Sequence, residues 1–367
     1  MTLTEIIIEK IKTDGPMTFR DFMDMCLYYP DDGYYTSERN KIGKEGDFYT
    51  SSTLTSSFGA VIALQMEEMW HLLGQKSFTI VEYGAGLGLL CHDILTTLRK
   101  NNKLYNNLHY CIIEKSPFMR QREEIYLTEK VSWYNNIHDI EWEVDCIFSN
   151  ELFDNFPVHQ VIMEEELMEI FVDYNEGFME VNKVASPALK AYFDELKVVL
   201  PKGYRTEVNL EAINWIKDIA SHLKKGFVMT IDYGDESAGL YQPHRSCGTV
   251  VCYNKHRVSA QPFNNIGEQD ITAHINFSAL EYWGEIAGLS ICGMTTQAYF
   301  LLSLGFLEHI RAVGLQQQKD ILQIVREESF IKHTLLFDMG NKYKVLIQSK
   351  GITVPTLTGL QMAACIT

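Results

Sequence analysis

The sequence predicts an α/β fold, Rossmann-like and doubly wound, with a mostly parallel sheet, an N-terminal helical segment and a β-hairpin insertion. Three observations predict it. From Phe78 the pattern alternates strand, glycine turn, helix and strand, as crossover helices joining parallel strands require. The strands of that stretch are short apolar runs of the kind that become buried. Beyond Pro157 the period changes to two, so hairpins interrupt the α/β scheme. The 367 residues, 46% hydrophobic and 22% charged, suit a soluble globular body with a sizeable core. On this reading residues 1–59 form a cap and 60–367 a core with insertions at about 158–208 and 235–275.

The elements follow in order. An apolar run from Ile6 to Ile11 is helical and breaks at Gly15-Pro16. A second helix opens at Thr18 and Asp21, at capping-box spacing, and ends in the turn Pro30-Asp31-Asp32-Gly33. The stretch KIGKEGDFYTSS is too polar for core and too short for a linker. Helical periodicity resumes over Phe58 to Leu73. Strand FTIVE, Phe78 to Glu82, precedes a helix at Leu89 to Arg99, a strand at His109 to Glu114 and a helix at Ser116 to Thr128. Val131 to Tyr134 and Asp145 to Phe148 are the next short strands. After the hairpins VHQVIMEE and MEIFVDYNEGFMEV come a helix at Leu210 to Leu223 and the buried strand FVMTIDYG. Asp235 to Ile271 reads as a long, loop-rich connection, a kind that is usually functional when ordered. A helix at Phe277 to Ala287 and strands including KYKVLIQ complete the sheet. Gly288 to Leu307 carries no charge and has the length of a membrane span, but Thr295, Thr296, Gln297, Ser303 and glycines interrupt it. A buried strand running into a helix is the reading, with no membrane association.

The formal charge of −16 argues against nucleic acid, whose affinity rests on clustered Lys and Arg, and suits cationic partners. Eight scattered cysteines without a dense framework indicate a reducing compartment. With neither a signal peptide nor an Arg-rich presequence visible at the start, the expectation is cytoplasmic.

The string Glu82-Tyr83-Gly84-Ala85-Gly86-Leu87-Gly88 lies between a strand and a helix. A dinucleotide fingerprint needs G-x-G-x-x-G, whereas the spacing here is G-x-G-x-G behind an acid. Glu82 would repel a pyrophosphate but favour the ammonium and sulfonium of S-adenosylmethionine. Gly84 and Gly86 let backbone approach that ligand, and amides at the helix start can receive its carboxylate. Glu114, ending the second strand, is placed to accept from both ribose hydroxyls. Asn136 and Ile137, after the third strand, fall near the adenine by topology alone. A tight turn without ligand is the plain alternative, and the joint presence of these acids argues against it.

At the tip of the fourth strand stands Ser149-Asn150-Glu151-Leu152-Phe153-Asp154-Asn155-Phe156-Pro157-Val158-His159. Open α/β sheets place ligands at such carboxyl ends, which makes Asn150, Glu151 and Asp154 the candidates to face a transferring methyl. Glu151 and Asp154 can hold a guanidinium bidentately and localise its charge away from the attacking nitrogen, with Phe153 and Phe156 as walls. The alternative is that Asp154 caps a turn and Glu151 faces solvent.

Taken together the chain resembles the MidA-like family, the mitochondrial complex I assembly-factor methyltransferases and their bacterial relatives. The resemblance rests on GYY at Gly33 to Tyr35, GDFYTS at Gly46 to Ser51, Phe58-Gly59, the glycine motif, NELFDNFPVH, YRTEVN at Tyr204 to Asn209, DYG at Asp232 to Gly234, GTVVCYNKH at Gly248 to His256 and QDITAHINFS at Gln269 to Ser278. It implies a class I methyltransferase fold, S-adenosyl-L-methionine as cofactor and an activity similar to protein-arginine methyltransferases, the mitochondrial member making symmetric dimethylarginine on a complex I subunit. It also implies that Asp47, Thr50 and Ser51 sit over the cofactor, so that the N-terminal segment is a lid. The chain departs from the family at Ser52-Thr53, where Pro-Glu is expected, at Ala85 in place of Pro, and at Asn276 in place of Asp, the last bearing on the substrate.

His244, Cys247, Cys252 and His256 have a spacing reminiscent of metal ligands, but only paired short spacings are diagnostic, and no metal is expected. Glu164-Glu165-Glu166 reads as a solvated hairpin tip, and Asp232, Asp270 and His274 as second-tier sites. The expected partner is a protein bearing arginine, with a homodimer left open. The rival readings are a non-catalytic S-adenosylmethionine-binding assembly factor and a methyltransferase with another acceptor.

Overall fold

A single sheet organises the part of the chain that carries the glycine motif. Its strands are β1 (Phe78–Tyr83), β2 (Leu108–Ile113), β3 (Val131–Tyr134), β4 (Cys146–Asn150), β5 (Gly226–Asp235), β6 (Ser290–Thr296) and β7 (Tyr343–Lys350), in the order β3-β2-β1-β4-β5-β7-β6. All pairs from β3 to β5 are parallel, and β7 runs antiparallel to both β5 and β6. Chain order therefore reverses between β1 and β4, the switch point where the carboxyl ends of such sheets leave a crevice. Residues 1–38, 41, 47, 50–127, 129–316 and 321–361 are described by this computed structural model; Gly46, Phe48 and Tyr49 of the GDFYTS block lie outside the described residues.

The chain divides into two units. One comprises Tyr49–Leu152, Lys217–Tyr233 and Gly284–Thr367, and contains the sheet. Ile80, Phe148, Met229 and Ile347 are fully buried in it beside Val61, Met66 and Trp70 of the helix Ser56–Leu72. Burying each such side chain contributes about 1.5–3 kcal/mol. That helix packs closely on the helix Leu89–Leu98, because a Cβ on Gly59 would stand 2.6 Å from Asp93 Cβ. The helix Pro117–Tyr126 begins as its sequence dictates, with Pro at the first turn and Ser116 Oγ accepting from Met119 N at 3.3 Å.

The other unit gathers Met1–Phe48, Phe153–Ile216 and Gly234–Trp283, so the first 48 residues group with the inserted segments. Its helix Leu3–Asp14 is closed by a Thr2/Glu5 capping box, and Thr18 Oγ1 caps Phe19–Tyr28. Ile7, Phe19, Phe22 and Leu27 bury against Val158, Val172 and Ile271. The hairpin strands His159–Met163, Leu167–Tyr174 and Phe178–Val184 form the expected insertion, joined by Arg205–Val208 and by Met17–Thr18. Glu164, Glu165 and Glu166 are exposed at a hairpin tip.

Three features differ from the sequence expectation. The stretch read as loop over Asp235 to Ile271 contains a short helix, Ser237–Leu240, and strands Val251–Asn254, Arg257–Ser259 and Asp270–Thr272 paired in an antiparallel sheet. Strands of three or four residues are too short to show a period. β6 is an edge strand and half-exposed rather than buried, because it pairs only with β7. The helices Pro187–Glu195, Phe306–Gln316 and Ile321–Lys332 were not expected. Among the described residues no helix is long and apolar enough to cross a membrane.

Candidate active site

The glycine turn follows β1 directly. Gly84 and Gly86 both hold left-handed backbone, φ 68° and 61°, which side-chain-bearing residues adopt at a cost. A Cβ on Gly84 would also come 3.1 Å from Leu152 Cδ1, so the turn lies against the residues that follow β4. Glu82 is not at the surface of the strand tip. It is 2% exposed, its carboxylate accepts from Tyr110 Oη at 2.7 Å, and burial pushes its pKa up to about 7. Glu114 follows β2 and is half-buried, with Oε1 accepting from Ser116 N at 2.7 Å. Asn136 is exposed and caps the turn Ile137–Asp139 by accepting from His138 N, while Ile137 is buried.

Beyond β4 the geometry tightens around Glu151. Its φ is 53°, an uncommon value for a residue with a side chain, and its N–H donates to Ile231 O of β5 at 2.9 Å. One carboxylate oxygen accepts from Ser51 N at 3.1 Å and Asn150 Nδ2 at 3.2 Å, and the other from Tyr343 Oη at 3.0 Å. Burial raises its pKa and these three donors oppose the rise. Asp232, fully buried, accepts from Leu152 N at 3.0 Å and from Tyr233 N at 2.8 Å, which orders the chain leaving β4. Ser51 is buried at the start of the short helix Ser51–Leu54, beside Gln297 at 3.4 Å, and Thr50 precedes it.

Asp154 and Asp47 belong to the other unit. Asp154 is buried, with Oδ1 accepting from Asn155 Nδ2 at 2.9 Å and its carbonyl from Ala273 N at 3.0 Å. Asn155 Oδ1 and Asp270 Oδ1 both lie within reach of Tyr35 Oη, at 2.7 and 3.0 Å. Burial pushes Asp270 up to about 7. Asp47 clamps the YNKH turn: Oδ2 takes Tyr34 Oη at 2.8 Å, Oδ1 takes Lys255 N at 2.5 Å, and its carbonyl takes His256 N at 3.1 Å. His274 Nδ1 pairs with Arg245 Nη1 at 3.1 Å. Among the described residues no group of His, Cys, Asp and Glu is placed to hold a metal ion.

The sheet-bearing unit thus brings Ser51, Asn150 and Glu151 together and sets the turn of Gly84 and Gly86 alongside. Sequence reasoning missed Tyr343, Gln297 and Glu123. Gln297 carried a faint signal as a polar residue in an uncharged window. Tyr343 looked like any aromatic opening a strand. Glu123 sits in the charged run RQREE, which hides that it is fully buried, bonded to Trp133 Nε1 at 2.7 Å and pushed up to about 8 by burial and by Glu114.

These residues fit S-adenosyl-L-methionine. Asn150 Oδ1, Gln297 Nε2 and Glu123 Oε1 are buried polar atoms with no protein partner, and Glu123 borders the turn, its Cα being 3.4 Å from where a Gly88 Cβ would stand. Buried polar atoms call for partners, and a polar ligand at the turn can supply them.

A protein-family model described as "Putative S-adenosyl-L-methionine-dependent methyltransferase" matches residues 61–295. The chain is similar to a protein from Burkholderia thailandensis crystallised with S-adenosyl-homocysteine: TM-score 0.85, 26% identity, covering 97% of this chain and 94% of that one. It is 28% identical to "Protein arginine methyltransferase NDUFAF7, mitochondrial" of Bos taurus, over 82% of this chain and 72% of the relative. A Drosophila melanogaster relative of that type, also named mitochondrial, is 24% identical over 96% of this chain and 85% of its own length. The mitochondrial names overturn the cytoplasmic expectation. Scattered free thiols mark a reducing environment and not an address. The chain belongs to the MidA-like family of S-adenosyl-L-methionine-dependent methyltransferases and uses S-adenosyl-L-methionine as its cofactor.

Proposed function

We propose that the chain methylates a guanidinium nitrogen of an arginine on another protein. The observation that carries this reading is Glu151, a half-buried carboxylate held by three donors in a rare backbone conformation at the carboxyl end of β4. The names of the curated relatives, protein arginine methyltransferases, support the acceptor.

S-adenosyl-L-methionine supplies an electrophilic methyl on its sulfonium sulfur. On this reading Gly84 and Gly86 admit it to the backbone, Glu82 favours its positive charge, Glu114 receives the ribose hydroxyls, and Asn136 and Ile137 border the adenine. By the resemblance Asp47, Thr50 and Ser51 complete the set, with residues 1–59 as the cap segment. Asn150 and Glu151 orient the guanidinium, and Asp154 is the second acid. The attacking nitrogen gives up a proton as it gains the methyl, and the Glu151 carboxylate, made more basic by burial, accepts it. Holding nucleophile and sulfonium in line while excluding water is the main contribution such a site makes.

The test is mass-spectrometric detection of methylarginine in proteins incubated with the purified chain and isotopically labelled cofactor, with Glu151→Gln as the control. Labelled methylarginine that disappears in the variant supports the reading. Label on lysine, histidine or a small molecule instead overturns the acceptor.

A further inference from the structure

The donors that hold Glu151 do not divide evenly between its two oxygens. A carboxylate accepts at about four positions, two on each oxygen. Oε1 takes Ser51 N at 3.1 Å and Asn150 Nδ2 at 3.2 Å, which fills it. Among the described residues Oε2 takes one bond, from Tyr343 Oη at 3.0 Å, and keeps a position open. Glu151 is half-buried, so it is not shut off from a substrate. The oxygen left to meet that substrate is the one Tyr343 holds.

Topology brings Tyr343 there. β7 runs antiparallel to β5, so its first residue lies with the carboxyl ends of the parallel strands, where Tyr343 stands opposite Tyr233. The two rings pack with centroids 5.5 Å apart. Tyr343 N donates to Met339 O at 2.9 Å, closing the turn that leads into β7, and Met339 Sδ lies 4.0 Å from Ser51 Oγ. Strand, ring and turn therefore fix the phenol, and a hydroxyl so fixed selects one orientation of the carboxylate. The groups that bear on Glu151 are neutral, since Ser51 N, Tyr343 and Asn150 are what oppose the effect of its burial. Asp232 of β5 is engaged with Leu152 N and Tyr233 N, and Lys344 of β7 with Asn341 O.

We propose that Tyr343 is a positioning residue for methyl transfer, its hydroxyl presenting Glu151 Oε2 as the atom that takes up the guanidinium proton. The assignment rests on the arginine reading of the acceptor. In this step the nitrogen–carbon bond forms as the carbon–sulfur bond of the sulfonium breaks, and the sulfur leaves as the thioether. The N–H proton passes to Oε2, and Glu151 stays neutral until it gives that proton to water. A phenol donor favours the carboxylate over the carboxylic acid, so Tyr343 also keeps Oε2 ionised and ready. Phenylalanine at 343 retains the ring packing and loses both effects.

The experiment compares the full wild-type chain with Tyr343→Phe from pH 6 to pH 9. The rate of labelled methylarginine formation, in the same protein mixture as above, should be about ten-fold below wild type at pH 6 and within about three-fold at pH 9. The sign follows from the lost donor: Glu151 holds its proton to higher pH, and the acid limb of the profile moves up. An S-adenosyl-homocysteine Kd within about two-fold of wild type checks that the variant is folded with its cofactor site intact. A second readout needs no acceptor. The infrared band of the protonated Glu151 carboxyl, obtained as the difference from Glu151→Gln, should persist to higher pH in Tyr343→Phe than in the wild type. A rate loss equal at every pH, or a band that titrates alike in both proteins, overturns the role of Tyr343. Label on a residue other than arginine, with the pH-dependent loss retained, removes the arginine reading and keeps Tyr343. No label from the wild-type chain on any acceptor removes both.

Discussion

Glu151, half-buried in the sheet-bearing unit, and Asp270, buried in the other, are both acids with raised pKa, and they are stabilised differently. Glu151 receives hydrogen bonds from Ser51 N, Asn150 Nδ2 and Tyr343 Oη, and its pKa is raised only against their opposition. Asp270 accepts from Ile271 N and shares the single proton of Tyr35 Oη with Asn155, and burial, with the charge of Asp47 beside it, pushes it up to about 7. The difference shows that the supply of donors, as much as burial, decides whether an interior carboxyl keeps its charge. An acid provided with donors is available to bind a cation or take up a proton. An acid with fewer donors, such as Asp270, holds its proton more tightly.

The comparison can be broken in four ways. The largest effect is expected at the cofactor turn beside Glu151. Gly86→Val forces a β-branched residue to φ 61°, a strain of roughly 3 kcal/mol if the turn is kept, so S-adenosyl-homocysteine binding by calorimetry should weaken about 100-fold or more. Next comes the contrast between the acids themselves. Glu151→Gln should lower kcat by about 100-fold with cofactor affinity within about three-fold, whereas Asp270→Asn, replacing a half-neutral acid by its isostere, should lower kcat less than about five-fold. Equal losses in the two variants would erase the distinction.

Tyr35→Phe should destabilise the fold by about 1–3 kcal/mol in urea, because the one hydroxyl proton shared by Asn155 and Asp270 is lost. The fourth test is the pH dependence. Glu82 at about 7, Asp270 at about 7 and Glu123 at about 8 all hold their protons more tightly folded than unfolded. Their stabilisation is therefore complete below the unfolded carboxyl range near pH 4 and is lost as pH rises through 7 to 8. The urea midpoint should be lower at pH 8 than at pH 6, each of the three acids contributing on the order of 1–2 kcal/mol, and Asp270→Asn should flatten the slope. A midpoint that rises over that interval would mean these acids are ionised in the folded chain.

Legibility followed the range of the interactions. β1 through β5 and the helices between them could be read because each declares itself within ten residues, by an apolar run or a cap such as Ser116. The small antiparallel sheet around Val251–Asn254 could not, because its partners are short and its stability comes from packing against residues far away in the chain. Within the candidate site Asn150 and Glu151 stood out as polar residues ending an apolar strand. Their supporting partners did not, since Ser51 is 100 residues from Glu151 and Tyr343 is 192. No periodicity connects such positions.

By itself the sequence determined that the chain makes a parallel α/β sheet, that a glycine turn follows its first strand, and that acids stand at the ends of β1 and β4. These follow from nearest-neighbour chemistry: which side chains can be buried, which backbone angles glycine alone takes freely, where a helix can start. The tertiary structure alone decided the state of those acids. Glu82 is turned inward onto Tyr110, and Glu151 is held by donors from two distant segments. Charge and hydrogen bonding inside a protein depend on what lies within a few ångströms in space, and only folding brings those groups together.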